Sequence, residues 1–213
     1  MQGKRLSELK NEIYDLWSDG YRESVAQFND MDEYPFAGYA RVFGEVYRMV
    51  RQSDAKRILD IGFGTGIIAE KLYEDGYQIT GVDPSEKMIA AGREVMPEAE
   101  LLAADYSLGM PIELLDREFD LMISVYAFHR MDPYDQEHLL HDIIRQLTPG
   151  GQMIIGGLAF ETYEDMKEVQ RQNRDAWRYH GMYVLYSELN EIFSHVTWKK
   201  ISECAGIVTI TKE

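Results

Sequence analysis

The chain has 213 residues, 45% of them hydrophobic, with a formal net charge of −15 at pH 7, which suits one substantial core and one domain. That charge repels nucleic acid at long range, and the local basic clusters (Lys4-Arg5, the 48–57 segment, Lys199-Lys200) combine neither regular spacing nor interleaved aromatics. Cys204 is the single cysteine, so an intrachain disulfide and a cysteine-based metal site are excluded, and no apolar run approaches the roughly 20 residues of a membrane span.

Met1-Gln2-Gly3-Lys4-Arg5 leads into a charged segment rather than a secretory apolar region, so a cytoplasmic protein is expected. Leu6 to Trp17 has helical periodicity and ends at an Asp19-Gly20 break before Tyr21. Phe36, Tyr39, Ala40, Phe43, Val46, Tyr47 and Val50 form a second apolar stripe, read as core packing against a sheet.

Arg57-Ile58-Leu59-Asp60-Ile61 is a short apolar run ending in glycines, followed by Ile67 to Leu72 at helical spacing. This is a strand, a tight turn and a helix. The alternate glycines Gly62, Gly64 and Gly66 let the backbone turn with positive φ and leave no Cβ between peptide groups and a ligand. Gly76 stops the helix, and Gln78-Ile79-Thr80-Gly81-Val82-Asp83 reads as the second strand of a β-α-β unit. A right-handed crossover places Asp83 beside the glycine turn, where a carboxylate can accept hydrogen bonds from both ribose hydroxyls. The glycine spacing is G-x-G-x-G rather than the dinucleotide G-x-G-x-x-G, and Asp60 precedes it. An acidic group there is unfavourable beside a pyrophosphate and useful beside an α-ammonium group.

These residues resemble the class I S-adenosylmethionine-dependent methyltransferases. Leu59-Asp60-Ile61-Gly62-Phe63-Gly64-Thr65-Gly66 is similar to the family's first motif, and Gly81 to Met88 to its second-strand motif, where the acid holds ribose and the following Pro84, Ser85 and Met88 flank adenine. Leu101 to Tyr106 resembles the third-strand end, where the resemblance implies that Asp105 meets the adenine amino group, with Ala104 and Tyr106 beside it. Phe119 to His129 is similar to the fourth strand and its end, and Leu147-Thr148-Pro149-Gly150-Gly151 to the turn before the fifth, so the likeness spans roughly residues 57–156.

The resemblance implies an α/β Rossmann-like fold: a seven-stranded, mostly parallel sheet in the order 3-2-1-4-5-7-6, strand 7 antiparallel, with helices on both faces and an N-terminal helical lid. The expected organisation is one domain, with helices and lid over 1–53, a cofactor-binding core over 54–156, and acceptor-side helices plus a C-terminal hairpin over 157–213. Ile13 to Tyr21 resembles the entry segment of small methyltransferases, which makes Trp17 and Tyr21 either a cover for the cofactor or plain packing. Ser124, Val125, Tyr126 and His129 join the implied cofactor contacts at the end of the fourth strand.

The implied chemistry is in-line methyl transfer from S-adenosylmethionine to a small-molecule acceptor, leaving S-adenosylhomocysteine. Proximity and orientation can supply roughly 7 to 11 kcal/mol of such a barrier. A base is needed only for an acceptor that must lose a proton early. His129 is the candidate base, set against a structural or cofactor-contacting role, and Tyr126 is either a base or an aromatic wall. His138 and His141 lie three apart on a helix read as beginning at Asp135, and no third metal ligand is evident, so no metal is expected. Beyond the fifth strand, Gln152 to Ile155, the sequence predicts a helix over Glu161 to Trp177, a loop around Tyr179 to Tyr183, a helix from Ser187 to Phe193, and strands over His195 to Ser202 and Gly206 to Thr211. The other function classes are a cofactor-binding sensor or partner without turnover and, against the glycine spacing, a nicotinamide-dependent oxidoreductase.

Overall fold

The computed structural model describes residues 34–174, 177 and 183–213. The Leu6 to Trp17 helix, the lid, Trp17, Tyr21 and most of the Tyr179 to Tyr183 loop lie outside the described residues. Chain order is α1 (Tyr39–Gln52), β1 (Arg57–Ile61), α2 (Ile67–Glu74), β2 (Gln78–Asp83), α3 (Glu86–Val95), β3 (Glu100–Ala103), β4 (Phe119–Val125), α4 (Pro133–Gln146), β5 (Leu147–Phe160), α5 (Tyr163–Gln172), β6 (Val184–Leu185), α6 (Tyr186–Ile192), β7 (Val196–Lys200) and β8 (Ala205–Thr211). Single 3₁₀ turns occupy Tyr106–Leu108, Ile112–Leu114 and Phe128–Arg130.

The strands form one eight-stranded sheet in the order β3-β2-β1-β4-β5-β8-β7, with β6 paired to β5. Pairings from β3 through β5 are parallel, and β8 runs antiparallel to both β5 and β7. The expected order is met once the two-residue β6 is set aside. β6 has too little sequence to carry a period-two signal and exists because Ala159 and Phe160 offer it a parallel partner.

Alternate side chains of the central strands enter two cores, as the pleat requires. Ile58, Leu121, Ile123 and Ile154 meet Val42, Val46 and Val50 of α1 and Ile68 and Leu72 of α2. Leu59, Ile61, Met122, Met153 and Ile155 meet Leu139, Leu140 and Ile143 of α4. The near-continuous apolar composition of these strands follows from cover on both faces. Of the expected α1 stripe, Tyr39, Val46 and Val50 are buried core, joined by Val42, whereas Phe36, Phe43 and Tyr47 are half-buried and Ala40 is exposed; the helix lies close over β5, because a Cβ on Gly156 would stand 2.8 Å from Val42 Cγ1.

Several element boundaries differ from the sequence reading, among them β5, which runs Leu147–Phe160 and takes in the Leu147 to Gly151 stretch expected as the turn before it. α4 starts at Pro133, not Asp135: Asp132 is the N-cap, accepting from the Asp135 N–H at 3.0 Å, and proline occupies the first turn, where its missing N–H has no cost. α5 stops at Gln172, short of Trp177, with the Asn173 side chain donating to the Val169 carbonyl. No described helix is long and apolar enough to cross a membrane.

Candidate functional site

β1 delivers the chain to the carboxyl edge of the sheet, and the glycine turn begins there. Gly62 N–H donates to the Val82 carbonyl at 2.7 Å, bolting the turn to the end of β2. Gly62, Gly64 and Gly66 have φ of 72°, 56° and 75°, the left-handed region that glycine enters without Cβ strain. At Gly62 the requirement is doubled, since a Cβ would collide with Ala127 Cβ and stand 2.9 Å from the Tyr106 hydroxyl. Phe63 explains two glycines elsewhere: its buried ring lies under Gly81 of β2 and Gly92 of α3, where a Cβ on Gly92 would stand 2.8 Å from the ring.

Asp83 ends β2 beneath this turn. Its Oδ2 accepts the Gly64 N–H and its Oδ1 the Ser85 N–H, both at 2.9 Å. Ser85 then turns its hydroxyl to the Met88 N–H, at 3.3 Å, and caps α3. Ser124 Oγ donates to the Ile61 carbonyl at 2.8 Å, tying β4 to the last residue of β1.

Asp60 is 2% exposed, and its Oδ2 has no hydrogen-bond partner among the described residues. Burial, reinforced by the negative charge of Asp83, pushes its carboxyl up to about 8. An acid in that state lacks a cation, so the group fits an α-ammonium ligand that would supply one.

One cavity at this edge is lined by Asp60, Gly62, Phe63, Gly64 and Thr65 from the turn, by Asp83, Pro84 and Met88 from β2 and α3, and by Tyr106, Val125 and Tyr126. All of these are sequence-predicted site residues. Phe43, Ile67, Ile68, Ala127 and Arg130 also line it and were not singled out by the sequence. Ile67 and Ile68 follow the last glycine directly and could have been found from that adjacency. Phe43 and Arg130 could not: Phe43 belongs to a stripe that reads as core, and Arg130 follows a histidine that draws the attention.

Gly66, Ser85, Ala104, Asp105, Ser124 and His129 do not line the cavity. Asp105 turns its carboxylate back onto its own chain, accepting from Ser107 N–H at 3.1 Å and Ser107 Oγ at 2.6 Å, and so caps the following 3₁₀ turn. That self-contained Asx geometry competes with the ligand contact that the resemblance implies. His129 is buried at 6% exposure, and burial, with a smaller contribution from the Arg130 charge, pushes its imidazole down to about 3. Burial thus works against proton transfer near neutrality at this imidazole.

Tyr126 lies between β4 and the turn Phe128–Arg130 with φ 55°, a left-handed conformation uncommon for an aromatic residue. Its N–H donates to the Gly156 carbonyl at 2.8 Å, and Gly157 packs against its backbone. The ring lies 4.6 Å from Tyr39 and stacks with Phe43 at 6.1 Å. The Tyr126 ring thus joins an aromatic cluster with Tyr39 and Phe43 of α1. Cys204 is buried, and its thiol is pushed up to about 11 by burial, which fits a small core residue. His141 sits 3.8 Å from Glu137 on the exposed face of α4, and no metal-holding cluster occurs among the described residues.

Residues 58–151 match the family model described as a methyltransferase domain. An uncharacterized methyltransferase of Geobacillus kaustophilus (strain HTA426) is 29% identical over 179 residues, which are 84% of this chain and 78% of that protein. The crystal structure of a TehB-like SAM-dependent methyltransferase from Corynebacterium glutamicum superposes with a TM-score of 0.63 at 19% identity, covering 95% of this chain and 99% of its own. Magnesium protoporphyrin IX methyltransferase from Synechocystis PCC 6803, with bound SAH, superposes with a TM-score of 0.66 at 12% identity, over 96% and 100%. The matched segment runs from β1 through the glycine turn to the start of β5, on a fold shared with these two enzymes, and this methyltransferase domain is similar to those of the class I S-adenosylmethionine-dependent methyltransferases.

Proposed function

We propose that the cavity at the glycine turn binds S-adenosylmethionine and that the protein transfers its methyl group to a small-molecule acceptor. The observation that carries this reading is the pair Asp60 and Asp83: two carboxylates on one cavity, the first buried with an oxygen that has no hydrogen-bond partner among the described residues and the second fixed at the glycine turn by backbone N–H groups. Asp83 takes the ribose hydroxyls and Asp60 the α-ammonium. At Gly64 an added Cβ would meet nothing within 4 Å, which leaves room for the ligand to lie against the peptide groups there.

The bound cofactor supplies a cationic sulfonium electrophile with a neutral leaving group. The chain's part is alignment and exclusion of water. Phe43, Val125, Tyr126 and Ala127 give one side of the cavity an apolar surface, so an acceptor placed against it is separated from solvent. Asp60 and Asp83 are the only carboxylates lining the cavity among the described residues, and both serve the cofactor in this reading. No other described lining group is a base near neutrality. The reading therefore favours an acceptor that is nucleophilic without losing a proton early, with residues 1–53 and 157–213 shaping its pocket.

A small acceptor is supported by the net charge of −15 and the lack of a concentrated basic patch. The test is thermal melting of the full chain with S-adenosylmethionine, S-adenosylhomocysteine and NADH, followed by a metabolite screen for S-adenosylhomocysteine release. The first two ligands should raise Tm and NADH should not, and Asp83→Ala should abolish the shift. Stabilisation by NADH alone would overturn the reading. Tight binding with no turnover across the screen would leave a cofactor-binding partner protein in its place.

A further inference from the structure

The stretch from Tyr106 to Arg117 carries the chain from the end of β3 to the start of β4. Leu108 and Ile112 are the most exposed large hydrophobic side chains among the described residues, at 82% and 79%, and Leu115 in the same stretch is half exposed. Single exposed leucines are ordinary on a folded protein, whereas three on one short connection make a patch that water does not favour.

The backbone beneath these side chains is held in place. Met110 and Leu114 point the other way and enter the core that packs on α4. The buried Gln146 of α4 donates its side-chain amide to the Leu114 carbonyl. The Leu115 and Arg117 N–H groups donate to the Ile112 and Leu114 carbonyls at 3.3 and 3.0 Å. Residues three apart eclipse in a 3₁₀ turn, so Ile112 and Leu115 share a face. Apolar groups displayed on a fixed backbone lose less freedom on association than the same groups on a loose loop.

The charge beside the patch selects what can cover it. Glu113, Asp116 and Glu118 are exposed carboxylates, and Arg117, the one basic residue of the stretch, pairs with Glu100 of β3. A second copy would set the same carboxylates against one another across a symmetric interface, with a formal charge of −15 on each chain. An anionic lipid surface meets the same repulsion. The complement is a segment with apolar side chains at helical spacing and lysine or arginine along its flanks.

We propose that Leu108, Ile112 and Leu115 form a docking ridge for a basic amphipathic helix of another protein. None of the three lines the cavity at the glycine turn, so the inference goes beyond the S-adenosylmethionine reading and does not depend on it.

The test uses two synthetic peptides with leucine at helical spacing on one face, one carrying lysine on the other face and one carrying glutamate. Each is titrated by fluorescence anisotropy into the full-length wild type, into Leu108→Gln/Ile112→Gln and into Glu113→Lys/Asp116→Lys. The lysine peptide should bind wild type, and Leu108→Gln/Ile112→Gln should weaken it roughly 10- to 100-fold through the loss of two apolar anchors. The glutamate peptide should bind wild type at least about 10-fold more weakly than the lysine peptide, and Glu113→Lys/Asp116→Lys should narrow that gap. All four substituted side chains are exposed, so both variants should melt with the wild type. Equal affinity of the lysine peptide for wild type and Leu108→Gln/Ile112→Gln would overturn the proposal, because net charge alone would then hold the peptide. Failure of that peptide to bind wild type would overturn it as well. So would a wild-type dimer in sedimentation that Leu108→Gln/Ile112→Gln lacks, which would give the ridge to a second copy, or binding to phosphatidylserine vesicles that the same variant loses.

Discussion

The two halves of the sheet are built by different rules. From β1 to β4 the site is set by backbone: the Gly62 N–H to Val82, the Gly64 N–H to Asp83 and the Ser85 N–H to Asp83 tie the glycine turn to the end of β2 within one β-α-β unit. From β5 to β8 the surroundings are set by side chains from distant parts of the chain. Tyr34 stacks on Trp177 at 4.9 Å, Trp177 packs on Tyr183 at 4.9 Å, and the Tyr34 and Tyr183 hydroxyls lie 3.0 Å apart across 149 residues of sequence. Near α1, Lys199 of β7 donates to Glu45, whose carboxyl its hydrogen bonds to Arg48 and Lys199 hold down at about 2. A fixed cofactor suits a rigid main-chain cradle, and an acceptor that varies between enzymes suits aromatic side chains that substitution can reshape.

Changes to the cradle should therefore exchange stability for binding, and Asp60 gives the largest expected effect. Its carboxyl sits at about 8 against an ordinary 3.8, with burial the main cause and Asp83 the second. A raised folded value means that this group's contribution is intact below about pH 4 and is lost as pH climbs to 8, because only the unfolded chain ionises freely in that window. Asp60→Asn mimics the protonated acid and should remove the loss. Relative to wild type it should gain nothing near pH 4 and, by pH 8, on the order of several kcal/mol in denaturant unfolding. The same variant should lose S-adenosylhomocysteine affinity at every pH. A variant that is no more stable at pH 8 than wild type would mean that another group neutralises Asp60.

The next contrast sets one glycine from each half side by side. A Cβ on Gly206 of β8 would drive into the Trp198 ring, and one on Gly62 would drive into Ala127. Overpacking of this kind costs typically 1–3 kcal/mol, and Gly62 adds about 1–2 kcal/mol for its positive φ. Both alanine variants should melt early. Gly206→Ala should keep wild-type S-adenosylhomocysteine affinity in its folded fraction, whereas Gly62→Ala should not. Equal loss of affinity would show that the halves are coupled through β5.

The same division decides what could be read from sequence. Strands β1, β2 and β4, the glycine turn, Asp83 and Asp60 were legible because turn glycines, terminal acids and apolar runs act over a few residues. Asp132-Pro133 was a readable start for α4, since acid then proline is an N-cap followed by a first-turn residue, and the later Asp135 was read in its place. Phe43 and Arg130 were not legible, because their position on the cavity depends on how α1 and the post-β4 turn pack against β1. Asp105 illustrates a different limit: its position at the end of β3 is as expected, yet a serine two residues on captures its carboxylate.

His129 should give the smallest effect, and it separates the halves most finely, because it belongs to the cofactor half by position and to the packed interior by environment. A base working at neutrality would have to gain and lose its proton between pH 6 and 8, and an imidazole pushed down to about 3 by burial does not. The ring lies edge-on to Tyr126 at 6.3 Å. In a proton–carbon correlation spectrum assigned by comparison with a His129→Gln variant, its ring signal should stay constant from pH 8 to about pH 5. An inflection for His129 between pH 6 and 7 would return it to the list of bases.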